Sequence, residues 1–306
     1  MCIHVSGYGD LRKSNRMILI ADSGSTKTYW SLLKETSESF HYKTSGINPF
    51  FQTELQIETQ LRKQLLLQMQ VEELDAIYFF GAGCATEKQK QVVTNAFEKV
   101  FRFQKIIVES DLLGAAKALC GDQPGIVCIL GTGSNSGLYD GAAIVKQVAP
   151  LGYIIGDEGS GAALGKKLVA DCLKNQLSPA IQERFFNRFG LTQAEIVENI
   201  YTKAFPSRFL ASMSIFLHEN LVEPELYQLV YDSFAEFFKR NVFQYDYQDY
   251  KVQVVGSIGY HYQHVLRHVA NDLSIELGSI LQAPMENLIG YYKRKHQLLE
   301  TTGHDF

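Results

Sequence analysis

The sequence lacks any apolar run long enough to cross a lipid bilayer. Apolar stretches such as residues 126–130 fall far short of the ~18–20 residues that a membrane-spanning helix needs. The N-terminus also lacks the apolar segment of a signal peptide. We therefore expect no membrane partner and a cytoplasmic location.

Cysteine pairs are missing as well. The chain has five cysteines but no CxxC pair, and no Cys/His group has the spacing of a zinc site. An odd, scattered set in apolar surroundings is typical of reduced, buried thiols in a cytosolic protein. The five are Cys2, Cys84, Cys120, Cys128 and Cys172.

A strong charge of either sign is absent too. The net charge is −4 and the isoelectric point is about 6.1. Such a balance gives no electrostatic grip on nucleic acid or on an anionic membrane, so no nucleic-acid partner is expected. Any anionic ligand must be held locally, by a few side chains or backbone amides.

The length of 306 residues predicts two domains, because single hydrophobic cores stop growing near ~250–300 residues. Residues 1–16 differ from the rest of the chain. They are polar, lack periodicity and precede a second methionine, Met17. We interpret them as a tag, a linker or a misassigned start.

The same order of predicted elements occurs twice. Each half opens with an apolar strand, a glycine-bearing turn and two more strands, and continues with alternating helices and strands. The first half has predicted strands at 17–21, 28–33, 39–43, 75–80 and 105–109, and predicted helices at 53–70, 87–101 and 112–119. The second half has predicted strands at 125–130, 136–139, 142–147, 251–255 and 273–277, a helical block over 158–245, and helices at 260–271 and 284–299. Because ligands bind at the carboxyl ends of such strands, two facing halves would form a binding cleft.

Two turns rich in glycine and hydroxyl groups stand at equivalent places in the two halves. Residues 22–28 read DSGSTKT and residues 131–135 read GTGSN. Small residues let backbone N–H groups approach an anion. Asp22 can hold hydrated Mg²⁺, while Thr26 and Lys27 can donate to phosphate oxygens. Either turn alone could be an ordinary hairpin, but a triphosphate clamped between the halves explains both.

A carboxylate at the end of the strand 105–109 could act as a base. Asp111 could accept the proton of an attacking hydroxyl. Alternatively, Ser110 and Asp111 could simply cap the following helix, a position for which both residue types are suited. Residues 254–259 (VVGSIG) have a similar ambiguity, since they could hold a nucleoside against bare backbone or form a tight strand-to-helix turn.

Two further segments could recognise a polar substrate. Asp157, within the GYIIGDEGSG segment at 152–161, could hold sugar hydroxyls, although acids also suit a helix N-terminus. Asn48 could read a polar substrate, or could belong to a plain Asn-Pro turn with Pro49.

The ordered set DSGSTKT, GAG, SD, GTGSN, GDEGSG and VVGSIG resembles the sugar kinase/hexokinase/actin/heat-shock ATPase superfamily. Within it, residues 17–299 resemble the group that contains the N-acetylglucosamine kinases and the BadF/BadG-type ATPases. The resemblance implies an α/β fold with two actin-like (ribonuclease H-like) domains that face each other across a nucleotide-binding cleft. These would be residues 17–113 and 114–283, with a helical insertion at 158–245 and the terminal helix at 284–299 packing back on the first domain.

The resemblance also implies roles for individual residues. Asp22 would organise Mg²⁺ and ATP, and Asp111 would be the base that activates the sugar 6-hydroxyl. The nucleotide would be held by Ser23, Gly24, Ser25, Thr26, Lys27, Gly131, Thr132, Gly133, Ser134, Gly256 and Ser257. The sugar pocket would be lined by Asn48, Gly81, Asn135, Gly152, Tyr153 and Asp157.

Departures from the family pattern bear on the substrate and on metals. Tyr153 stands where the eukaryotic enzyme has Trp, which leaves the sugar open among glucosamine, N-acetylglucosamine, N-acetylmannosamine and N-acetylmuramate. Neither the zinc-binding cysteine motif of the ROK sugar kinases nor the cysteine context of the iron–sulfur cluster in BadF-type activators is present. No zinc and no such cluster is therefore expected.

These observations together predict an ATP- and Mg²⁺-dependent kinase that phosphorylates a hydroxyl, most simply O6, of an amino sugar such as N-acetylglucosamine. An ATPase that activates a partner enzyme is one alternative, and a sugar or nucleotide sensor without turnover is another. The presence of both Asp22 and Asp111 argues against a sensor. A homodimer is the expected association, since it is the commonest outcome for soluble oligomers.

Overall fold

The computed structural model describes residues 16–24, 26–34 and 38–301. The predicted N-terminal tag or linker lies outside the described residues except for Arg16. Ser25, which was predicted to bind the nucleotide, lies outside them as well. Within the described residues, every helix is too short or too polar to span a membrane.

The first half of the chain forms a five-stranded mixed sheet with the strand order β3-β2-β1-β4-β5. Its strands are β1 (Met17–Ser23), β2 (Lys27–Lys34), β3 (Ser39–Ser45), β4 (Glu73–Gly81) and β5 (Arg102–Ser110). Strands β1, β2 and β3 are antiparallel neighbours, whereas β1, β4 and β5 run parallel. The apolar runs of β1 and β4 are buried on both faces, which is why they read as nearly continuous hydrophobic segments.

The helices of the first half begin where the sequence supplies capping residues. Thr53 and Thr86 each form a capping box with a glutamine three residues later. The helices are α1 (Glu54–Gln60), which continues through a π-helical turn (Leu61–Leu66) into α2 (Leu67–Met69), then α3 (Glu87–Glu98) and α4 (Asp111–Cys120). The predicted helix at 53–70 is thus present, with a change of helical type in its middle.

The second half repeats the arrangement of the first. Its strands are β6 (Gly125–Leu130), β7 (Ser134–Tyr139), β8 (Ile144–Val148), β9 (Val252–Val255) and β10 (Leu277–Leu281). The order β10-β9-β6-β7-β8 has an antiparallel β6-β7-β8 meander and parallel β6, β9 and β10, which matches the first sheet strand for strand. The repeat that the sequence shows only in its order of elements is therefore a repeat of topology.

Helices fill the rest of the second half. They are α5 (Gly152–Ile155), α6 (Gly161–Leu173), α7 (Pro179–Phe189), α8 (Gln193–Tyr201), α9 (Pro206–Glu219), α10 (Pro224–Arg240), α11 (Ser257–His261), α12 (Gln263–Asp272) and α13 (Met285–Thr301), with a 3₁₀ turn at Val242–Gln244. Three of them, α7, α9 and α10, begin with proline, whose missing N–H costs nothing at the first helical position.

The prediction for the last strand is wrong by four residues. The alternation of residues 273–277 mimics a strand, but Leu273 and Ser274 instead form the turn that ends α12. Ser274 takes the left-handed conformation with φ 55°, and the N–H of Ile275 donates to the carbonyl of Ala270 at 2.8 Å. The strand β10 starts at Leu277 and includes Gly278, a residue that weakens strand patterns.

Helix α4 packs on both sheets. Leu112 and Ala116 share a buried cluster with Val127 and Tyr139 of the second sheet, while Gly114 lies tightly against the ring of Phe80 in the first. Helix α13 returns to the first sheet, since its Leu288 and Tyr292 cluster with residues of β1 and β4. The domain boundary at residues 113 and 114 stays a prediction.

The described cysteines are mostly buried. Cys84, Cys128 and Cys172 are buried, and Cys120, which we expected to be buried too, is half-buried. All four are free thiols, and burial raises the pKa of Cys84 to about 12, so this thiol is protonated at neutral pH. Among the residues that the structure describes, no group of His, Cys, Asp and Glu side chains is arranged to hold a metal ion by itself.

Candidate active site

The carboxyl ends of β1, β4 and β5 meet at one edge of the first sheet. Ser23 pairs with Gly81, and Gly81 pairs with Ser110, so the three residues lie in one row across the strands. Asp22 is the residue before Ser23 on β1, and Asp111 is the first residue of α4, directly after Ser110. Strand register thus brings together two carboxylates that are far apart in the sequence.

The two carboxylates interact electrostatically. Burial raises the pKa of Asp22 to about 7, and the negative charge of Asp111 adds to the shift. Burial also raises the pKa of Asp111 to about 6, although the backbone N–H of Leu112 donates to its Oδ1 at 2.9 Å and opposes the shift. A carboxylate whose pKa lies near neutrality is well placed to accept a proton from a hydroxyl.

Ser110 and Asp111 could each have capped the helix that follows, and the structure shows that Ser110 does so. The Oγ of Ser110 accepts from the N–H of Leu113 at 3.2 Å and caps α4. Because Ser110 fills that position, the carboxylate of Asp111 is not needed as the cap.

The raised pKa of Asp22 predicts how the stability of the metal-free protein depends on pH. Between pH ~4 and ~7 the folded state holds a proton on Asp22 that the unfolded state releases, so stability falls as the pH rises through this window. We expect Asp22→Asn to raise the melting temperature at pH 8 with EDTA present, and to change it little near pH 4. Thermal melts of both proteins across this range measure the effect, and an equal gain at both ends would contradict it.

The first glycine-hydroxyl turn is held by its own hairpin. The N–H of Gly24 donates to the carbonyl of Lys27 at 3.0 Å. The hydroxyl of Ser23 is fully buried, hydrogen bonded to Thr28 Oγ1 at 2.7 Å and to the backbone of Ile47 at 3.0 Å. The Ser23 side chain therefore anchors the neighbouring loop, whereas Gly24, Thr26 and Lys27 are exposed and can meet a ligand.

The anchored loop carries Asn48. The Oδ1 of Asn48 accepts from the N–H of Phe50 at 2.9 Å, so the predicted Asn-Pro turn is present. The same oxygen would lie 2.1 Å from a Cβ atom on Gly83, which has φ +81°. Asn48 therefore sits directly against the turn that follows Gly81, at the same edge of the sheet as Asp22.

The second glycine-hydroxyl turn rests on the N-terminus of α6. The N–H groups of Gly161 and Ala162 donate to the carbonyls of Gly131 and Thr132 at 2.8 and 3.1 Å. Within the turn, the N–H of Gly131 donates to the carbonyl of Gly133 at 3.0 Å. Two backbone hydrogen bonds thus join α6 to the turn between β6 and β7.

Asp157 is attached to the same turn. Its Oδ1 accepts from the N–H of Ser134 at 3.3 Å, and a Cβ atom on Gly133 would lie 2.9 Å from its Oδ2. Asp157 takes the left-handed conformation with φ 61°, and burial raises its pKa. Strained backbone of this kind is concentrated at functional sites.

Three other predicted sugar residues belong to the second half of the chain, and two of them form hydrogen bonds there. Asn135 follows the turn on β7, and its Oδ1 accepts from the N–H of Ser136 and from Gln147 Nε2, both at 2.9 Å. Gly152, with φ +75°, begins α5. The carbonyl of Tyr153 accepts from Lys166 Nζ at 2.8 Å, which ties α5 to α6.

Gly256 brings the third motif against the second turn. A Cβ atom there would lie 2.3 Å from the carbonyl oxygen of Leu130 and 3.2 Å from the nitrogen of Gly131, and φ is +125°. Its N–H donates to the carbonyl of Leu281 at 2.9 Å. Residues 254–259 therefore form a tight strand-to-helix turn. The exposed Ser257 in this turn lies beside the second glycine-hydroxyl turn.

Sequence reasoning missed how α6 supports this site. Ser160 is fully buried and caps α6 by accepting from the N–H of Ala163 at 3.1 Å. A Gly-Ser-Gly signal at 159–161 was visible. Its contact with the turn at 131–133 joins segments that are distant in the chain, so no local pattern could reveal it.

Searches with protein-family profiles and against curated proteins gave no match. Among solved structures, a protein of Porphyromonas gingivalis, assigned provisionally as an N-acetylglucosamine kinase, is 46% identical with a TM-score of 0.87. The match covers 92% of this chain and 100% of that one. The chain belongs to the N-acetylglucosamine kinase-like family. The predicted membership of the sugar kinase and actin-like ATPase superfamily is confirmed.

More distant structures share the fold of this family. A protein of Chromobacterium violaceum with the same provisional assignment is 19% identical with a TM-score of 0.68, over 90% of this chain and 98% of that one. A ROK-family glucokinase from Streptomyces griseus, in complex with glucose and AMPPNP, is 16% identical with a TM-score of 0.55, over 92% of this chain and 99% of that one. The predicted α/β fold with two actin-like domains is confirmed.

Proposed function

We propose that the protein is an ATP-dependent kinase that phosphorylates a hydroxyl, O6, of an amino sugar such as N-acetylglucosamine. The observation that carries the proposal is the pair formed by Asp22 and Asp111 at one sheet edge, with the pKa of Asp111 raised to about 6. Family membership supports it, since the Porphyromonas protein bears that provisional assignment. The Streptomyces glucokinase, which contains both a sugar and an ATP analogue, shows that this fold can hold the two together.

The donors at this edge fit a hard divalent cation. Burial and the negative charge of Asp111 both raise the pKa of Asp22, and a positive charge beside the Asp22 carboxylate would oppose both effects. Mg²⁺ accepts one or two carboxylates and keeps several of its waters, which suits Asp22 as the ligand in this proposal. When bound, Mg²⁺ neutralises charge on the transferring phosphate.

The two turns are proposed to hold the phosphates of ATP. On the first sheet, the exposed Thr26 and Lys27 donate to phosphate oxygens, and Gly24 allows close backbone approach. On the second sheet, the turn at 131–134 offers Thr132 and its backbone from a position fixed by α6. Gly256 and Ser257 are proposed to lie beside the adenosine.

The sugar is proposed to lie between Asn48 and Asp157. Asn48 and the backbone at Gly81 approach it from the first sheet. Asp157, Asn135 and Tyr153 approach from the second. In this arrangement Asp111 accepts the proton of the attacking hydroxyl, and positioning of the acceptor supplies most of the remaining catalysis.

An ADP-release assay over a panel of hexoses and N-acetylhexosamines, with a no-sugar control, tests the proposal. We expect ADP release to require a sugar and to be fastest with an amino sugar. Product analysis by NMR then locates the phosphate, which the proposal places on O6. Sugar-independent hydrolysis that a partner protein stimulates would support an activating ATPase instead, and binding without ADP release would support a sensor.

A further inference from the structure

Phe205 has an unusual backbone for its residue type. It precedes the first residue of α9, with φ 61° and ψ 50° in the left-handed region. Bulky side chains seldom adopt this conformation, because their Cβ atom is crowded there. Its ring is 59% exposed, so burial of the ring offers little to offset the strained backbone.

The ring of Phe205 has a cationic neighbour. The guanidinium of Arg208 lies over it, 4.1 Å from the centroid, which is within the range of a cation–π contact. The N–H groups of Arg208 and Phe209 both donate to the carbonyl of Phe205, at 3.0 and 3.2 Å. The first turn of α9 therefore holds an aromatic ring and a planar cation in one stack.

One turn after this stack, α9 comes close to the residue that follows Gly256 and Ser257. A Cβ atom on Gly161 would touch both Ala211 of α9 and Ile258 of α11, at 3.1 and 3.2 Å. Farther along, the hydroxyl of Tyr262 donates to the carbonyl of Ser214. Residues 211–214 of α9 therefore lie beside residues 258–262.

The helical rise gives the distance of Arg208 from this contact. Arg208 precedes Ala211 by three residues, which is about 4.5 Å along a helix. Arg208 is therefore one helical turn from the contact with Ile258, the residue that directly follows Gly256 and Ser257. Arg208 is half-buried, and this burial lowers the pKa of its guanidinium.

We propose that Phe205 and Arg208 form a stacking wall for the purine base of the nucleotide, a pair that sets nucleotide specificity. This inference rests on the proposed function, because it assumes that a nucleotide binds at Gly256 and Ser257. Aromatic rings and guanidinium groups both stack on the π-face of a base. A contact between the ring of Phe205 and the base would account for the strained backbone of this residue.

Two variants distinguish a loss of base stacking from a loss of protein stability. Phe205→Gly removes the ring and also relieves the left-handed backbone, because glycine adopts that region freely. Its melting temperature should equal or exceed that of the wild type, while its dissociation constant for ADP should rise roughly 10- to 100-fold, the worth of base stacking in other proteins. Arg208→Ala should weaken ADP binding in the same direction.

A matched control exists at the other end of α9. Arg188 lies over the ring of Phe189, 5.7 Å from its centroid, and bonds to Glu219, the last residue of α9. Arg188→Ala removes an arginine–phenylalanine pair of the same kind and should leave ADP affinity unchanged.

Calorimetric titration with Mg²⁺–ADP and with inorganic tripolyphosphate gives the decisive readings. We expect both wall variants to lose affinity for ADP and to keep that for tripolyphosphate, which has no base. Unchanged ADP affinity in both variants would overturn the inference alone, as would an equal loss for tripolyphosphate. Failure of the wild-type protein to bind ADP would overturn the proposed function as well.

Discussion

Replacing Asp111 with asparagine is expected to lower kcat roughly 10²- to 10⁴-fold, the usual worth of a general base. Asparagine keeps the shape of the side chain and an Oδ1 atom that can still accept from the N–H of Leu112. It cannot take a proton from the acceptor hydroxyl. We therefore expect the dissociation constants for ADP and for the sugar to change less than about threefold, so the loss would lie in the chemical step.

Steady-state kinetics with direct binding measurements check this prediction. In the wild type, kcat/KM should fall as the pH drops through about 6 to 7, where Asp22 and Asp111 take up protons. Asp140→Asn is a suitable control, because Asp140 also accepts backbone N–H groups in a tight turn but belongs to the β7–β8 hairpin. Near-normal turnover of the Asp111→Asn protein would remove this residue from the mechanism.

Gly256→Ala is expected to be the most damaging small substitution in the site. Its φ of +125° excludes other residues without strain, which costs ~1–3 kcal/mol. The added methyl would also meet the backbone of Leu130 at 2.3 Å, and such overpacking costs ~1–3 kcal/mol more. We expect a loss of roughly 2–6 kcal/mol in the free energy of unfolding, together with weaker nucleotide binding because the turn at Gly131 is displaced.

Urea denaturation and ADP titration measure the two effects. Gly290→Ala is the matched control, since a Cβ atom at this position in α13 would lie 3.5 Å from Arg294 Nη1, an ordinary contact. The control should gain up to ~1 kcal/mol in helix propensity. Wild-type stability and ADP affinity in the Gly256→Ala protein would show that the close approach of Gly256 to the second turn has no functional weight.

Much of the fold could be predicted because its signals are local. The apolar runs of β1, β4 and β6 and their following glycines mark both the strands and the turns. The repeat of element order then indicates two similar sheets. The prediction of a strand at 273–277 is wrong because the turn that ends α12 at Ser274 has the alternating apolar and polar pattern of a strand. The observed strand β10 contains Gly278 and Ser279, which are not typical of strands.

Only part of the candidate site could be predicted, because some of its contacts join segments that are distant in the sequence. Asp22 and Asp111 could be named because each stands at the carboxyl end of a strand of a parallel set, and register brings such ends together. The sequence could not show that the Ser23 hydroxyl forms its hydrogen bonds with Thr28 and Ile47. Nor could it show that α6 supports the second turn, because those bonds join distant segments.

Two turns, one from each sheet, are proposed to hold the same nucleotide. Hydrogen exchange, measured with and without Mg²⁺ and AMPPNP, tests this proposal most directly. We expect slower exchange in peptides that cover residues 22–28 and 131–135, with the same dependence on nucleotide concentration. Protection of one turn alone, or at two different concentrations, would contradict it.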